Sequence, residues 1–252
     1  MIYKEPRFLP GGDKAIFVEF GGTIEPELNR RVRNLMLAIQ KEKIAGVVET
    51  VPAYRSLLVY YEPLQISPEK LRGRLSHLAQ RLEKIELPES KLIEVPTVYG
   101  SEYGPDLEFV ADYNDLSAEE VIKIHTGVPY LIYMIGFMPG FPYVGVMSPK
   151  IAVPRLDTPR IKVPAGSVCI TGNQTGIYPT ESPGGWRIIG RTPLKLFQPD
   201  RKPPVLFQAG DHLVFTSITP EEFTSIKDAV SRGTYQLKES LMKRADGDNG
   251  NL

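Results

Sequence analysis

The chain has 252 residues, 42% hydrophobic and 24% charged, and its 30 basic side chains balance its 30 acidic ones. That length suits one large domain or two modest ones, and a zero net charge excludes the strongly basic surface of a dedicated nucleic-acid binder. No run of 18 apolar residues predicts a membrane span, one cysteine excludes an internal disulfide, and MIYKEPRFLPGGDKAIF has no apolar signal core, so a cytoplasmic protein is the simplest expectation.

Residues 2–9 and 14–20 read as short strands joined by Pro10-Gly11-Gly12-Asp13. Pro26 opens a helix over 26–43, where Leu28, Val32, Leu35 and Ile39 recur at helical spacing, and Gly46 closes it. Strands over 46–52 and 56–62 follow. Ser67-Pro68 is an N-cap with Pro at the first helical position, and Leu71, Leu75, Leu78, Leu82 and Ile85 predict a helix over 68–85. This ββαββα order predicts a small α/β sandwich over residues 1–87, with its helices on one sheet face. His77 lies opposite the leucine stripe and reads as solvent-exposed.

Leu87-Pro88-Glu89-Ser90 reads as a linker. A second domain is expected over 91–238, beginning with the strand LIEVPTVYG. Ser117 and Glu120 form a capping box for a helix on which Val121, Ile122 and His125 share an apolar side. His125 is thus either satisfied inside the core or lining a site. From residue 130 the segments LIYMIGF, RIKVPAG, SVCITG, WRIIGR, LKLF and DHLVFTSI alternate with turn residues, which predicts a β-barrel or sandwich. Thr219 and Glu222 form a second capping box, opening a helix that runs to about residue 231. Residues 239–252, ending in ADGDNGNL, read as a disordered tail.

The stretch from Gly136 to Pro193 stands apart, with 9 Gly and 9 Pro in 58 residues. Its aromatic and β-branched residues argue for ordered irregular backbone between short strands, where binding residues tend to sit. Lys150, Arg155, Arg160, Lys162, Arg187 and Arg191 face only Asp157 and Glu181, which makes either a solvated basic surface or a pocket for a small anion. No phosphate-binding G-x-x-x-x-G-K-[ST] loop, G-x-G-x-x-G or G-x-S-x-G occurs. His77, His125 and His212 have no metal-ligand spacing, so no metal site is expected, and Cys169 in SVCITG reads as a small buried hydrophobe. The polar groups left are Arg155 and Arg160, five residues apart, then Gln174, Tyr178, Glu181, Ser182 and Arg191, around the tight turn Ser182-Pro183-Gly184-Gly185.

The runs GFMPGFPYVG, PRLDTPRIKVPAGSV and GNQTGIYPTESPGGWRIIGRTP, with EYGPDLEFVA and LSAEEVIKIHT upstream, closely resemble the family that comprises the 5-oxoprolinase B subunit, the sporulation kinase inhibitor KipI and allophanate hydrolase subunit 1. The resemblance covers essentially the whole chain. It implies an α+β protein in which the small sandwich precedes a cyclophilin-like β-barrel. It also implies one component, inactive alone, of an ATP-dependent 5-oxoprolinase whose other components are a KipA-like C subunit and an A subunit. The alternatives it carries are an inhibitor of a sporulation histidine kinase and part of a carboxyltransferase acting on urea. ATP would be held outside a P-loop or by a partner. Neither nucleic acid nor membrane is implied. Of the polar residues, His125, Arg155, Arg160, Gln174, Tyr178 and Ser182 fall on the matching positions; His125 and Glu181 are the expected proton-handling residues, and Arg155, Arg160, Gln174, Tyr178, Ser182 and Arg191 the expected substrate contacts.

Overall fold

A computed structural model describes residues 1–82, 85 and 87–242. The chain divides into two compact units, Met1–Pro88 and Glu89–Leu252.

In the first unit, β1 (Ile2–Pro10), β2 (Ala15–Gly21), β3 (Val47–Pro52) and β4 (Ser56–Tyr61) form one antiparallel sheet in the order β1-β2-β4-β3. Helices α1 (Pro26–Glu42) and α2 (Pro68–Ala79) bury their apolar stripes on it: Leu28, Val32, Leu35, Leu71 and Leu75 have no exposed surface. The Ser67 side chain caps α2 by accepting from the Lys70 backbone N–H. The predicted helix over 68–85 is too long. Helix α2 ends at Ala79, while Leu82 and Ile85 still join the same core.

The second unit contains β5 (Lys91–Tyr99), α3 (Leu107–Tyr113), α4 (Ala118–Thr126), β6 (Tyr130–Ile135), β7 (Pro142–Gly145), β8 (Arg160–Val163), β9 (Ser167–Thr171), β10 (Gln174–Ile177), β11 (Ser182–Gly184), β12 (Arg187–Arg191), β13 (His212–Ser217), α5 (Pro220–Ser231) and β14 (Glu239–Leu241). Strands β12-β9-β10-β7-β6-β13-β5 run side by side, and a further β12–β5 pairing closes them into a barrel. Strand β5 is the seam. One edge pairs in parallel with β13 from Leu92 to Thr97. The other is shared between β14, at Lys91 to Ile93, and β12, at Val98 and Tyr99. The barrel interior is filled by side chains such as Val95, Ile132, Val144, Ile170, Ile177, Ile189 and Phe215.

Three sequence expectations change here. Residues 239–241, placed in a disordered tail, form β14 and carry a Glu239–Lys91 ion pair of 2.8 Å; residues 243–252, including ADGDNGNL, lie outside the described residues. The LKLF segment is no regular strand, although Leu194 and Leu196 are buried and Phe197 bridges Val205. Helix α3 was not expected: it is short, and its N-cap residue Asp106 makes no side-chain cap bond. The Asp106 carboxylate is engaged elsewhere.

Candidate functional site

The Gly/Pro-rich stretch builds one wall of the barrel and a cover over its outside. Along β10 the two-residue strand period sends Thr175 and Ile177 inward and Gln174 and Gly176 outward. The outward face carries a separate apolar cluster of Phe141, Val163, Cys169, Tyr178, Trp186 and Ile188, with Met138 and Tyr143 packed against it. Phe141 is its hub: its ring lies 4.9 Å from Tyr143, 5.4 Å from Tyr178 and 5.7 Å from Trp186, the last two edge to face. Two glycines make this packing possible. A Cβ on Gly176 would sit 2.9 Å from Phe141 Cζ, and one on Gly184 would collide with the Tyr178 phenol oxygen.

Arg155 stands exposed beside this platform, close enough for its charge to act on both Tyr143 and Tyr178. Burial raises both phenols above their ordinary value, while Arg155 opposes the shift, as does a hydrogen bond from the Trp186 backbone N–H at Tyr178. Both therefore stay protonated at neutral pH. The exposed Arg155 guanidinium beside this buried cluster suits a small anion such as a carboxylate.

Strands β8 and β11 form a two-stranded ribbon over the cluster, with Ser182 paired to Val163 and Gly184 to Arg160. Asp106 holds it. Its buried carboxylate accepts from Arg160 Nη2 at 2.7 Å and from the Ile188 backbone N–H at 2.6 Å, and lies 3.8 Å from Arg187 Nη1. Arg187 in turn stacks 3.7 Å over the Phe109 ring. Arg160, an expected substrate contact, is thus paired with the buried Asp106 carboxylate.

His125, one of the two expected proton-handling residues, is fully buried, and burial lowers its pKa to about 3. Thr175 Oγ1 donates to the Cys169 carbonyl and accepts from His125 Nε2 at 2.9 Å, which leaves Nδ1 to accept from the Tyr99 hydroxyl at 2.8 Å. The ring is a neutral core group with both nitrogens occupied. Glu181 and Lys162 form an exposed ion pair of 3.1 Å on the ribbon. The Ser182 hydroxyl donates to the Pro183 carbonyl, Gln174 is half-buried at the start of β10, and Arg191 lies 5.7 Å over Tyr103. The stretch therefore brings Arg155 and Tyr178 together and Arg160 to Asp106, while His125 lies inside the barrel and Arg191 sits beside Tyr103. Sequence reasoning missed Asp106, Tyr143 and Tyr99. Only Asp106 had a signal, as the acid that directly follows Gly104-Pro105. Among the described residues, no group of three His, Cys, Asp or Glu side chains is arranged to hold a metal ion.

The barrel thus carries a ribbon-covered aromatic cluster on its outer face, with the exposed Arg155 guanidinium beside it. Residues 6–207 match the model of the carboxyltransferase domain, subdomain C and D, and the chain belongs to that family. It is 42% identical over 228 residues to the 5-oxoprolinase B subunit of Bacillus subtilis, covering 86% of this chain and 95% of that protein. The urea amidolyase of Lachancea kluyveri is more distant, 26% identical over 263 residues that make up 91% of this chain and 14% of that protein. The crystal structure of TTHA0988 superposes with a TM-score of 0.72 at 34% identity, over 82% of this chain and 40% of the larger one.

Proposed function

We propose that this chain is the B subunit of an ATP-dependent 5-oxoprolinase, which opens 5-oxo-L-proline to L-glutamate together with partner subunits. The observation that carries the reading is the 42% identity to the Bacillus subtilis protein over nearly the full length of both chains. The site chemistry supports it. 5-Oxoproline is a five-membered lactam bearing one carboxylate. Arg155, exposed on the outer face of the barrel, pairs with that carboxylate. Opening the lactam breaks the ring C–N bond. The carbonyl carbon gains a water oxygen and becomes a carboxylate, and the nitrogen gains a proton to become the amine.

Proton handling is the step this chain supplies least well. His125 is sealed in the core, and Glu181 is the acid–base candidate that stays accessible on the ribbon. This supports activity only in the assembled complex, with the A and C partners supplying the missing groups. ATP enters as a co-substrate, held by a partner or by a surface other than a glycine-rich phosphate loop. The urea-carboxylating alternative has less support, since the relative that carries it is 26% identical against 42%.

The test is coexpression with the two partner subunits, followed by an assay for ATP-dependent glutamate release from 5-oxoproline. Release is expected from the full complex and not from the chain alone, and Arg155→Ala is expected to raise KM at least roughly tenfold, the usual cost of a lost charge-assisted contact. A complex that assembles but releases no glutamate, while the chain suppresses a histidine kinase's autophosphorylation, would replace this reading with the inhibitor one.

A further inference from the structure

Helix α2 of the first unit carries a glycine that its own packing does not explain. Gly73 lies in the middle of the helix, where glycine loses more backbone freedom on folding than any other residue. Close packing is the usual reason for such a glycine, yet a Cβ at Gly73 would meet no atom within 4 Å. Its backbone is helical, so no positive φ calls for glycine either. Alanine would fit the folded chain and strengthen the helix.

What Gly73 faces is a cleft. It lies between this side of α2 and two turns, one at Ala45 and one at Gln65-Ile66, and holds about 520 Å³, within the size range of small-molecule sites. The turns are tied to each other: the Glu62 N–H donates to the Gly46 carbonyl at 2.8 Å, and the Ile66 N–H donates to the Glu62 carbonyl at 3.1 Å. On the helix surface Lys70, three residues before, and His77, four residues after, flank the bare backbone at Gly73, and Arg74 stands beside it. All three side chains are exposed. Among the described residues no acid lines the cleft, and no ion pair involves Lys70 or Arg74. Lys70 also sits in the first turn of α2, where the helix dipole disfavours a cation. An anion in the cleft answers that charge.

We propose that this cleft binds a phosphorylated small molecule of nucleotide size, with its phosphates against the bare backbone of Gly73. Phosphate oxygens resting there come within reach of Lys70, Arg74 and His77 together, and a Cβ would push them out. Ile66 and Ala45 give the apolar wall for a base, and the Gln65 amide meets its polar edge. The site belongs to Met1–Pro88 and does not rest on the 5-oxoprolinase reading. ATP, the co-substrate of that reading, is of the class this cleft takes and is the first probe.

The experiment titrates the purified full chain with ATP, AMP, adenosine and inorganic phosphate in a calorimeter at low salt. ATP is expected to bind with Kd below about 100 μM, AMP about tenfold more weakly, adenosine not at all, and inorganic phosphate is expected to compete weakly. Lys70→Ala and Arg74→Ala are each expected to raise the Kd for ATP about tenfold. Arg72→Ala, which removes the same charge from the same helix outside the cleft, is expected to leave it unchanged. Gly73→Ala separates a ligand seat from a solvated basic face: without ligand it is expected to melt about 3 °C higher, and to bind ATP at least about tenfold more weakly. Wild-type affinity in Gly73→Ala overturns the proposal. So does an equal loss in Arg72→Ala, which would assign the binding to diffuse charge. Equal affinities for ATP and inorganic phosphate overturn the nucleotide-sized ligand, and no binding of any probe at about 1 mM removes the site. None of these outcomes bears on glutamate release, so the site and the 5-oxoprolinase reading stand or fall separately.

Discussion

His125 shows how far a single residue can be read. Its place on α4, four residues after Val121, marks an apolar side, and that much is visible in the spacing. What the spacing leaves open is the partner of each ring nitrogen. Tyr99 lies 26 residues before it and Thr175 lies 50 after, and the barrel brings both to the ring. The consequence is a pH dependence with a definite sign. The folded pKa is lowered to about 3, against 6.5 for a free histidine. Below pH 6.5 the unfolded chain takes up a proton that the folded chain refuses. The stabilising contribution is thus complete above pH 6.5 and is lost as pH falls toward 3, at about 1.4 kcal/mol per unit. His125→Gln is expected to lower stability by about 1–3 kcal/mol at pH 7, because its shorter amide cannot reach both hydroxyls. It is also expected to flatten the acid slope. Urea unfolding at about pH 7 and pH 5 measures both effects, and parallel pH dependences in the two proteins would show that burial does not hold this imidazole neutral.

The ribbon and helix α3 form the unit of interest among the elements. Neither has a strong local signal. Strands β8 and β11 are short, and their pairing joins residues about twenty apart across an irregular run. Helix α3 spans 7 residues, too few for a periodic stripe to stand out. One carboxylate unites them: Asp106 sits at the head of α3, takes Arg160 from the first ribbon strand, and receives the Ile188 N–H of the barrel wall. Removing it leaves Arg160 and Arg187 without their acid, so Asp106→Ala is expected to cost about 3 kcal/mol. Trp186, the only tryptophan, lies buried beside the ribbon and provides a local readout. Its emission should shift to the red in the variant, before global unfolding, as the ribbon loosens. A variant within about 0.5 kcal/mol of the parent, with unchanged emission, would show that the pairing of β8 with β11 holds the ribbon alone.

At the scale of the molecule the chain carries two separate cores. In Met1–Pro88, Phe20, Leu28, Leu35, Leu57 and Leu75 belong to one cluster; in Glu89–Leu252, Tyr130, Ile132, Ile170 and Phe215 belong to another. Each unit is long enough to bury a core of its own. Residues 1–88 and 89–252, expressed separately, are each expected to give a cooperative thermal transition and a dispersed amide spectrum. A barrel fragment that stays unfolded by itself would show that the two units are one cooperative structure. The first unit is expected to refold faster, since its contacts are local, whereas barrel closure joins β5 to β12 across some ninety residues.

Read alone, the sequence determined the sandwich almost element by element, because helix periodicity, strand alternation and capping residues all act within a few positions of each other. It also singled out Gly136–Pro193 as the stretch to watch, through the charge and glycine content of that segment. Tertiary structure alone decided that β5 closes the barrel while lending part of one edge to β14, that Thr175 faces inward to His125 while Tyr178 faces outward, and that Arg160 belongs to Asp106 while Arg155 stays exposed. These outcomes depend on partners far away in the chain and on which side of a strand meets solvent. Burial and pairing of that kind are set by the whole packed molecule and leave no mark on neighbouring residues.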